Sequence, residues 1–415
     1  MDYEESLRYL DRLGNEVLSM KFGLETIRTV LGALGNPQDE FPSILIAGTN
    51  GKGSVACFLS NILSSGGLRT ALYMSPHVVS IEERFQVSGH QIAPPDFAEC
   101  LTEVARATES IGPEYRPTYF ETLTAAAFLH FVRSRVEIAV LEVGMGGRLD
   151  STNVVDPLLS VITPVGLDHQ AQLGANIEQI AAEKAGIIHP LRPVLVSPQT
   201  PEAYRVIRAR AEAVAAPLHE LETGEIVVKA AGRGVYSLSY HGVSATLRLP
   251  GRHQTMNAAL AIRAVELLSP GLGVNQSAMA DGIRRAEIPG RIQKIGEDPL
   301  VFVDGGHNRQ AADNLMQFLT AHTPEPRSLV FSMMRDKEIA EVAAILRPAF
   351  DRVFVSEMKS PRAAPMARLL EAFPEATVAR DPIQAIEAAK TSSATIVVFG
   401  SFYLAGEVLR KASGE

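Results

Sequence analysis

Cysteine is nearly absent: the 415 residues hold two, Cys57 and Cys100, and neither belongs to a C-x-x-C pair. That excludes a disulfide scaffold, no zinc pattern is present, and two buried free thiols in a reducing cytosol are the simplest account. No apolar run approaches the roughly 20 residues that a membrane span needs. The start, Met1-Asp2-Tyr3-Glu4-Glu5, lacks the basic and apolar regions of a signal peptide, so cytoplasmic residence is expected. An excess of positive charge is missing too. The net charge of −8 argues against general binding to nucleic acid or an anionic membrane, so basic groups gathered at a site must serve a local anion. Repeats and low-complexity tracts are absent. What remains, 46% hydrophobic and 21% charged residues, is the composition of a soluble globular protein, long enough for about two to three domains.

The most informative string is Ala47-Gly48-Thr49-Asn50-Gly51-Lys52-Gly53-Ser54, which follows the apolar run Ser43-Ile44-Leu45-Ile46. After it Val55, Phe58, Leu59, Ile62 and Leu63 recur at helical spacing and line one face. Strand, glycine-rich loop and helix in this order form a phosphate-binding loop. The glycines let backbone N–H groups point at an anion, Lys52 adds a cation, and the helix contributes its positive end. The expected ligand is a nucleoside triphosphate. The loop departs from G-x-x-x-x-G-K-[ST], since Ile46 and Gly53 stand where a glycine and a hydroxyl would be, and Ser54 is displaced by one residue, still close enough to reach a bound Mg²⁺.

Apolar runs alternate with helical segments: Ala71 to Met74, Ile138 to Leu141, Leu159 to Ile162 and Val194 to Val196 read as buried parallel strands. Between Glu225 and Leu249 the pattern changes to short stretches with turn residues, including Gly232, Gly234 and His241-Gly242, which predicts an antiparallel β insertion. Helical periodicity returns at Asn257 to Leu268. Pro289-Gly290-Arg291 and Gly296-Glu297-Asp298-Pro299 then form a polar, turn-rich stretch that reads as a domain boundary. Beyond it strands are expected at Leu300 to Val303, Leu329 to Phe331, Val353 to Val355 and Thr395 to Phe399. The expected fold class is α/β: a doubly wound P-loop ATPase domain with the β insertion over 1–295, and a smaller Rossmann-like α/β domain over 296–415.

Ligands of open α/β sheets collect at the carboxyl ends of strands. Ser75, Glu142 and the pair Asp168-His169 follow three of the predicted strands, and magnesium, which takes few protein ligands, could use such a set. Taken alone, His169 reads as a structural histidine. Gly144 to Asp150 places backbone donors, Arg148 and Asp150 beside the nucleotide strand. Asp304-Gly305-Gly306-His307-Asn308 opens the small domain and could present Asp304 and His307 across a cleft.

Together these strings resemble the folylpolyglutamate synthase and dihydrofolate synthase family, a branch of the Mur-type amide ligases. The similarity runs from Lys21-Phe22-Gly23-Leu24-Glu25 and Leu34 to Gln38, through Gly48 to Ser54, Ser75-Pro76-His77, Glu83-Arg84, Phe120-Glu121, Glu142 to Asn153 and Asp168-His169-Gln170. It continues through Glu183 to Gly186, His253-Gln254, Asn257-Ala258, Pro289-Gly290-Arg291, Asp304 to Asn308, Asp336-Lys337 and Gly400 to Glu407. Gly306, where alanine is frequent, and Ser332-Met333-Met334, where a glycine is common, depart from the family pattern.

The resemblance implies an ATP-dependent ligase that phosphorylates a carboxylate on dihydropteroate or a reduced folate and lets the amine of L-glutamate displace phosphate. Ser75, Glu142 and His169 would then hold magnesium, with Ser54 joining from the loop. Lys184 would become a carbamate that helps hold a second Mg²⁺; from sequence alone it reads as a solvated helix lysine. Asn257, Arg291 and Asp304 match nucleotide-contacting positions. Arg84, His307 and Ser401 match positions assigned to the incoming glutamate or to closure around it, and Asp150 with its loop would touch the pterin or its tail. A hinge near residues 290 to 298 and a monomeric state are also implied. Two readings compete: the same chemistry on a peptidoglycan precursor or another polyamide, and a nucleotide-binding switch without turnover.

Overall fold

The computed structural model describes residues 1–14 and 23–414; Lys21 and Phe22, part of the first string above, lie outside the described residues. Eight strands form the first sheet: β1 (Ser43–Ala47), β2 (Thr70–Tyr73), β3 (Phe85–Val87), β4 (His90–Gln91), β5 (Ile138–Glu142), β6 (Leu159–Ile162), β7 (Val194–Val196) and β8 (Leu218–Glu220). Their spatial order is β4-β3-β2-β5-β1-β6-β7-β8. Only the pairings of β3 with β2 and β4 are antiparallel. β1 is buried at all five residues, which explains its unbroken apolar run. Leu45 and Ala47 enter one apolar cluster, with Tyr73, Phe97 and Phe128, while Ile44 and Ile46 enter another, with Phe58, Ile62 and Leu260. Helices thus cover both faces, and the alternation along one strand divides its side chains between two cores.

The insertion is the expected antiparallel sheet of β9 (Val227–Gly232), β10 (Val235–Tyr240) and β11 (Val243–Thr246). The third sheet contains β12 (Gln293–Glu297), β13 (Leu300–Asp304), β14 (Arg327–Phe331), β15 (Arg352–Ser356), β16 (Thr377–Ala379) and β17 (Thr395–Phe399), ordered β12-β13-β17-β14-β15-β16. Here the structure differs from the turn-rich reading of residues 289–299. Gln293–Glu297 pairs antiparallel with β13, with an irregularity between Lys294 and Gly296, so the third sheet begins before the expected boundary at 296. An edge strand that is half exposed carries no apolar run, and a bulge interrupts what alternation it has. The three-residue edge strand β16 was hidden for the same reason.

The carboxyl ends of β1, β2, β5 and β6 face those of β13, β14 and β17 across two adjoining cavities. Both are walled by residues from the two large sheets, and among the residues they share are Ser75, Gly144, His169, His307 and Phe402.

Candidate active site

β1 ends at Ala47, and Gly51 caps the helix Lys52–Ser65 in the left-handed region (φ 86°). That leaves the first amides of the helix without intrahelical partners, facing the loop. Gly48 is dictated by its surroundings. Its φ is 149°, and a Cβ there would lie 1.8 Å from Thr163 Oγ1. A Cβ on Gly51 would lie 2.7 Å from Asn257 Oδ1, which places Asn257 against the loop; its amide nitrogen donates to Gln254 Oε1 at 3.0 Å. Thr49 Oγ1 donates to Gly166 O at 3.0 Å and accepts from Gly166 N at 2.9 Å. Lys52 Nζ donates to Gly48 O and Thr49 O at 3.2 and 3.3 Å, so its charge sits over the loop. Asn50 reaches the other half of the molecule, donating to Gln310 Oε1 at 2.6 Å and accepting from Asn308 Nδ2 at 3.0 Å. Gly53 lines the same cavity, whereas Ser54 is buried outside its wall.

Ser75, Glu142, His169 and Lys184 come together in that cavity. Glu142 ends β5, accepts from Ser75 N at 3.1 Å and is pushed above the usual carboxylate range by burial, against the nearby Lys52 charge. Lys52, the Ser75 amide, Arg291 and Arg84 offset that burial only in part, and a carboxylate so placed suits a cation. His169, at φ 50°, is pushed down to about 3 by burial, so its imidazole is neutral and can ligate. Oxygen and imidazole donors fit a hard divalent ion such as Mg²⁺ or Mn²⁺. The buried Lys184 Nζ donates to Gly48 O at 2.7 Å; burial and then Lys52 push it down to about 7. The solvated reading of Lys184 is therefore corrected.

From the third sheet, Asp304 accepts from Ile292 N at 3.0 Å and Gly306 N at 2.6 Å, which fixes the turn after β13 rather than directing the carboxylate freely at a ligand. Arg291 stacks over the Phe402 ring at 4.6 Å, and its buried Nε has no hydrogen-bond partner. His307 Nδ1 lies 3.1 Å from Gly305 O. A carbonyl only accepts, so Nδ1 carries the proton and Nε2 presents a lone pair. Burial pushes this imidazole down to about 4. Ser401 lines the second cavity and accepts from Tyr403 N at 3.1 Å, capping the last helix.

Asp150 also lines the second cavity, but its carboxylate is engaged locally, accepting from Met145 N at 2.9 Å, Thr152 N at 3.0 Å and Thr152 Oγ1 at 2.6 Å. It shapes the glycine loop. Arg84 is buried outside both cavity walls, where Nε donates to His77 Nδ1 at 3.0 Å and the guanidinium lies 5.8 Å from the Tyr119 ring centroid. The sequence reading gave no role to the ion pair Lys337–Asp168, at 2.6 Å, which joins the loop after β14 to the loop after β6. It also gave none to the apolar wall of Phe120, Leu149, Leu173 and Met334. Asp168 and Lys337 are far apart in the chain, and no local pattern marks them as partners.

Comparison with known proteins agrees with this geometry. Residues 46–265 match the Mur ligase middle domain, and residues 290–402 match the Mur ligase glutamate ligase domain. The dihydrofolate synthase/folylpolyglutamate synthase of Bacillus subtilis is 33% identical over 96% of this chain and 96% of its own length; that of Escherichia coli is 33% identical over 97% and 94%. Mycobacterium tuberculosis folylpolyglutamate synthase complexed with ADP and AMPPCP superposes with a TM-score of 0.90 at 32% identity, covering 100% of this chain and 99% of that one. Escherichia coli FolC in complex with DHPP and ADP gives 0.88 at 32% identity, covering 100% and 98%. With the phosphate loop, the acidic and imidazole groups and both matched domains accounted for, the chain belongs to the dihydrofolate synthase/folylpolyglutamate synthase family of Mur-type ligases.

Proposed function

We propose that this chain ligates L-glutamate to dihydropteroate, to the glutamate tail of reduced folates, or to both, through an acyl phosphate, with release of ADP and phosphate. The observation that carries it is the pairing of a phosphate loop and a metal-suited donor set on one sheet with a neutral histidine, His307, on the other. A carboxylate is a poor acyl donor because oxide would have to leave; phosphorylation supplies the leaving group. Lys52 and the loop amides offset charge on the transferring phosphoryl group. Mg²⁺ held by Ser75, Glu142 and His169 would supply further charge stabilisation. The lone pair on His307 Nε2 can accept a hydrogen bond from the incoming amine and orient it, and the apolar wall around Phe120 and Leu149 suits a flat pterin.

Carbamylation of Lys184 belongs to the same reading. A buried amine pushed down to about 7 is neutral in a substantial fraction of molecules at neutral pH, the form that attacks carbon dioxide, and the resulting anion would suit a second Mg²⁺. Closure that excludes water from the acyl phosphate would hinge before β12, since β12 is already part of the third sheet. We read the protein as a cytoplasmic monomer; among the described residues, no helix is long and apolar enough to cross a membrane. Glutamate-dependent ADP release, measured with dihydropteroate and with a reduced folate, tests the activity. Turnover with both gives a bifunctional synthase, turnover with one gives a monofunctional enzyme, and silence with both refutes the proposal.

A further inference from the structure

The cavity with the apolar wall carries few charged groups, and nearly all of them already have partners. Its carboxylates are Glu121, Asp150 and Glu183. Glu121 accepts from Thr118 N at 2.8 Å, Asp150 accepts from Met145 N at 2.9 Å, and Glu183 pairs with Arg148 at 2.8 Å. Among the described residues its lining cations are Lys337 and Arg362. Lys337 is taken by Asp168, with both side chains nearly buried. Arg362 is only half used. Its Nη2 donates to Asp336 Oδ1 and Oδ2 at 3.0 and 2.8 Å, while Nε and Nη1 have no hydrogen-bond partner among the described residues. The arginine side chain is 11% exposed and the aspartate 39%, so the carboxylate is the better solvated of the two. The backbone of Arg362 is also fixed. It lies in the loop after β15, which is laid against the segment after β14: Arg335 N donates to Arg362 O and Ala364 N to Met333 O, each at 2.9 Å, with a bridge between Met334 and Ala363. Arg362 is thereby held beside Met334, a member of the apolar wall.

We propose that Arg362 receives the carboxylate that a folate acceptor keeps when its other terminal carboxylate is phosphorylated, and so sets how well glutamyl-tailed acceptors compete with dihydropteroate. The inference rests on the ligase reading above. Dihydropteroate has a single carboxylate, and the reaction consumes it. A reduced folate ends in a glutamyl residue with two, of which one stays charged throughout. The carboxylate to be phosphorylated must reach the phosphate loop, so it lies where Ser75, His169 and His307 border both cavities. The rest of the acceptor, its second carboxylate included, then occupies the cavity with the apolar wall. Taking that charge out of water is costly unless a cation meets it. Arg362 lines this cavity and not the phosphate-loop cavity. A guanidinium has five N–H donors in a planar fork, so it can keep Asp336 on Nη2 and still offer Nε and Nη1 to a second carboxylate. Lys337 has a closer and more buried partner to give up.

The test measures KM and kcat of the full chain with ATP and Mg²⁺, taking dihydropteroate and a monoglutamyl reduced folate in turn as acceptor. Arg362→Met keeps the apolar stem and removes the charge. Its KM for the reduced folate should rise about tenfold or more, the loss of a hydrogen bond to a charged group, while its KM for dihydropteroate and for L-glutamate stays near that of wild type. Asp336→Asn breaks the same ion pair but keeps the guanidinium. Because that pair is partly exposed and worth little, its KM for the reduced folate should stay within about twofold of wild type. A residue that merely ties the two loops together would give both variants the same loss. Equal losses in Arg362→Met and Asp336→Asn, a KM raised alike for both acceptors, or a KM raised only for L-glutamate would overturn the proposal. Wild-type turnover of dihydropteroate without any of the reduced folate would overturn it too and leave the ligase reading standing, whereas silence with both acceptors removes that reading and the proposal with it.

Discussion

Replacing Lys337 by methionine should loosen the contact between the two halves of the molecule. Its ammonium is 2.6 Å from Asp168 Oδ1, and the two side chains are only 8% and 12% exposed. Burial acts to raise the Asp168 carboxyl, but His169, Lys337 and His307 together hold it well below its ordinary 3.8. The two imidazoles are themselves pushed down to about 3 and about 4, so at neutral pH neither is charged and Lys337 is the compensating cation. Its loss leaves a buried carboxylate unpaired, at a cost of about 3–5 kcal/mol. A double-mutant cycle with Asp168→Asn, read by guanidinium unfolding, should give a coupling of about 1.5 kcal/mol or more at pH 7. The sign of the pH dependence follows from the depressed carboxyl. Its stabilisation is present in full above 3.8 and is lost as the pH falls toward the folded value, so the gap between wild type and Lys337→Met should shrink below about pH 4. A coupling under about 0.5 kcal/mol, or a gap that stays constant down to pH 3, would show that packing and not charge joins these loops.

Three further outcomes are expected. Glu142→Ala should lower ligation by about 100-fold or more while ADP still binds in calorimetry, because the loop amides and Lys52 remain. Gly48→Ala should cost about 1–3 kcal/mol of stability and weaken nucleotide binding; Thr163→Ala in the same chain should relieve the 1.8 Å clash but not the strain at φ 149°, so rescue is partial in thermal melts. With ¹³C-bicarbonate, a carbamate signal should rise between pH 6 and 8 as Lys184, at about 7, loses its proton, and Lys184→Met should lack the signal. Where Lys184 stays unmodified, the unfolded chain binds a proton that the folded chain does not between pH 7 and 10.5, so its contribution to stability rises with pH across that range.

The readable parts of this chain were those whose cause is local. β1 and β5 are buried on both faces and therefore appear as unbroken apolar runs, and the phosphate loop needs its glycines within a few residues of one another. The insertion showed itself through turn residues, because a tight hairpin demands left-handed backbone at His241 and Gly242. β12 escaped because an exposed edge strand has neither run nor regular alternation. The site divides in the same way. Ser75, Glu142 and His169 were legible as strand ends, whereas the burial that lowers Lys184 and the engagement of Asp150 and Asp304 with backbone amides depend on neighbours that the one-dimensional pattern does not specify.

A ligase of two facing sheets has its chemistry at their junction, and the junction is where sequence carries least information. Asn50 meets Gln310 and Asn308, Asp168 meets Lys337, and Gln170 meets Glu338, each across more than 150 residues of chain. All of these join loops or first helical turns that follow the carboxyl ends of strands, and all are polar side chains rather than core. A polar junction of this kind holds the halves less tightly than an apolar one of the same size would. Lys337 stands at the centre of this junction: it pairs with Asp168 at 2.6 Å, lies 3.5 Å from His169 Nε2 and lines the cavity that His307 also borders.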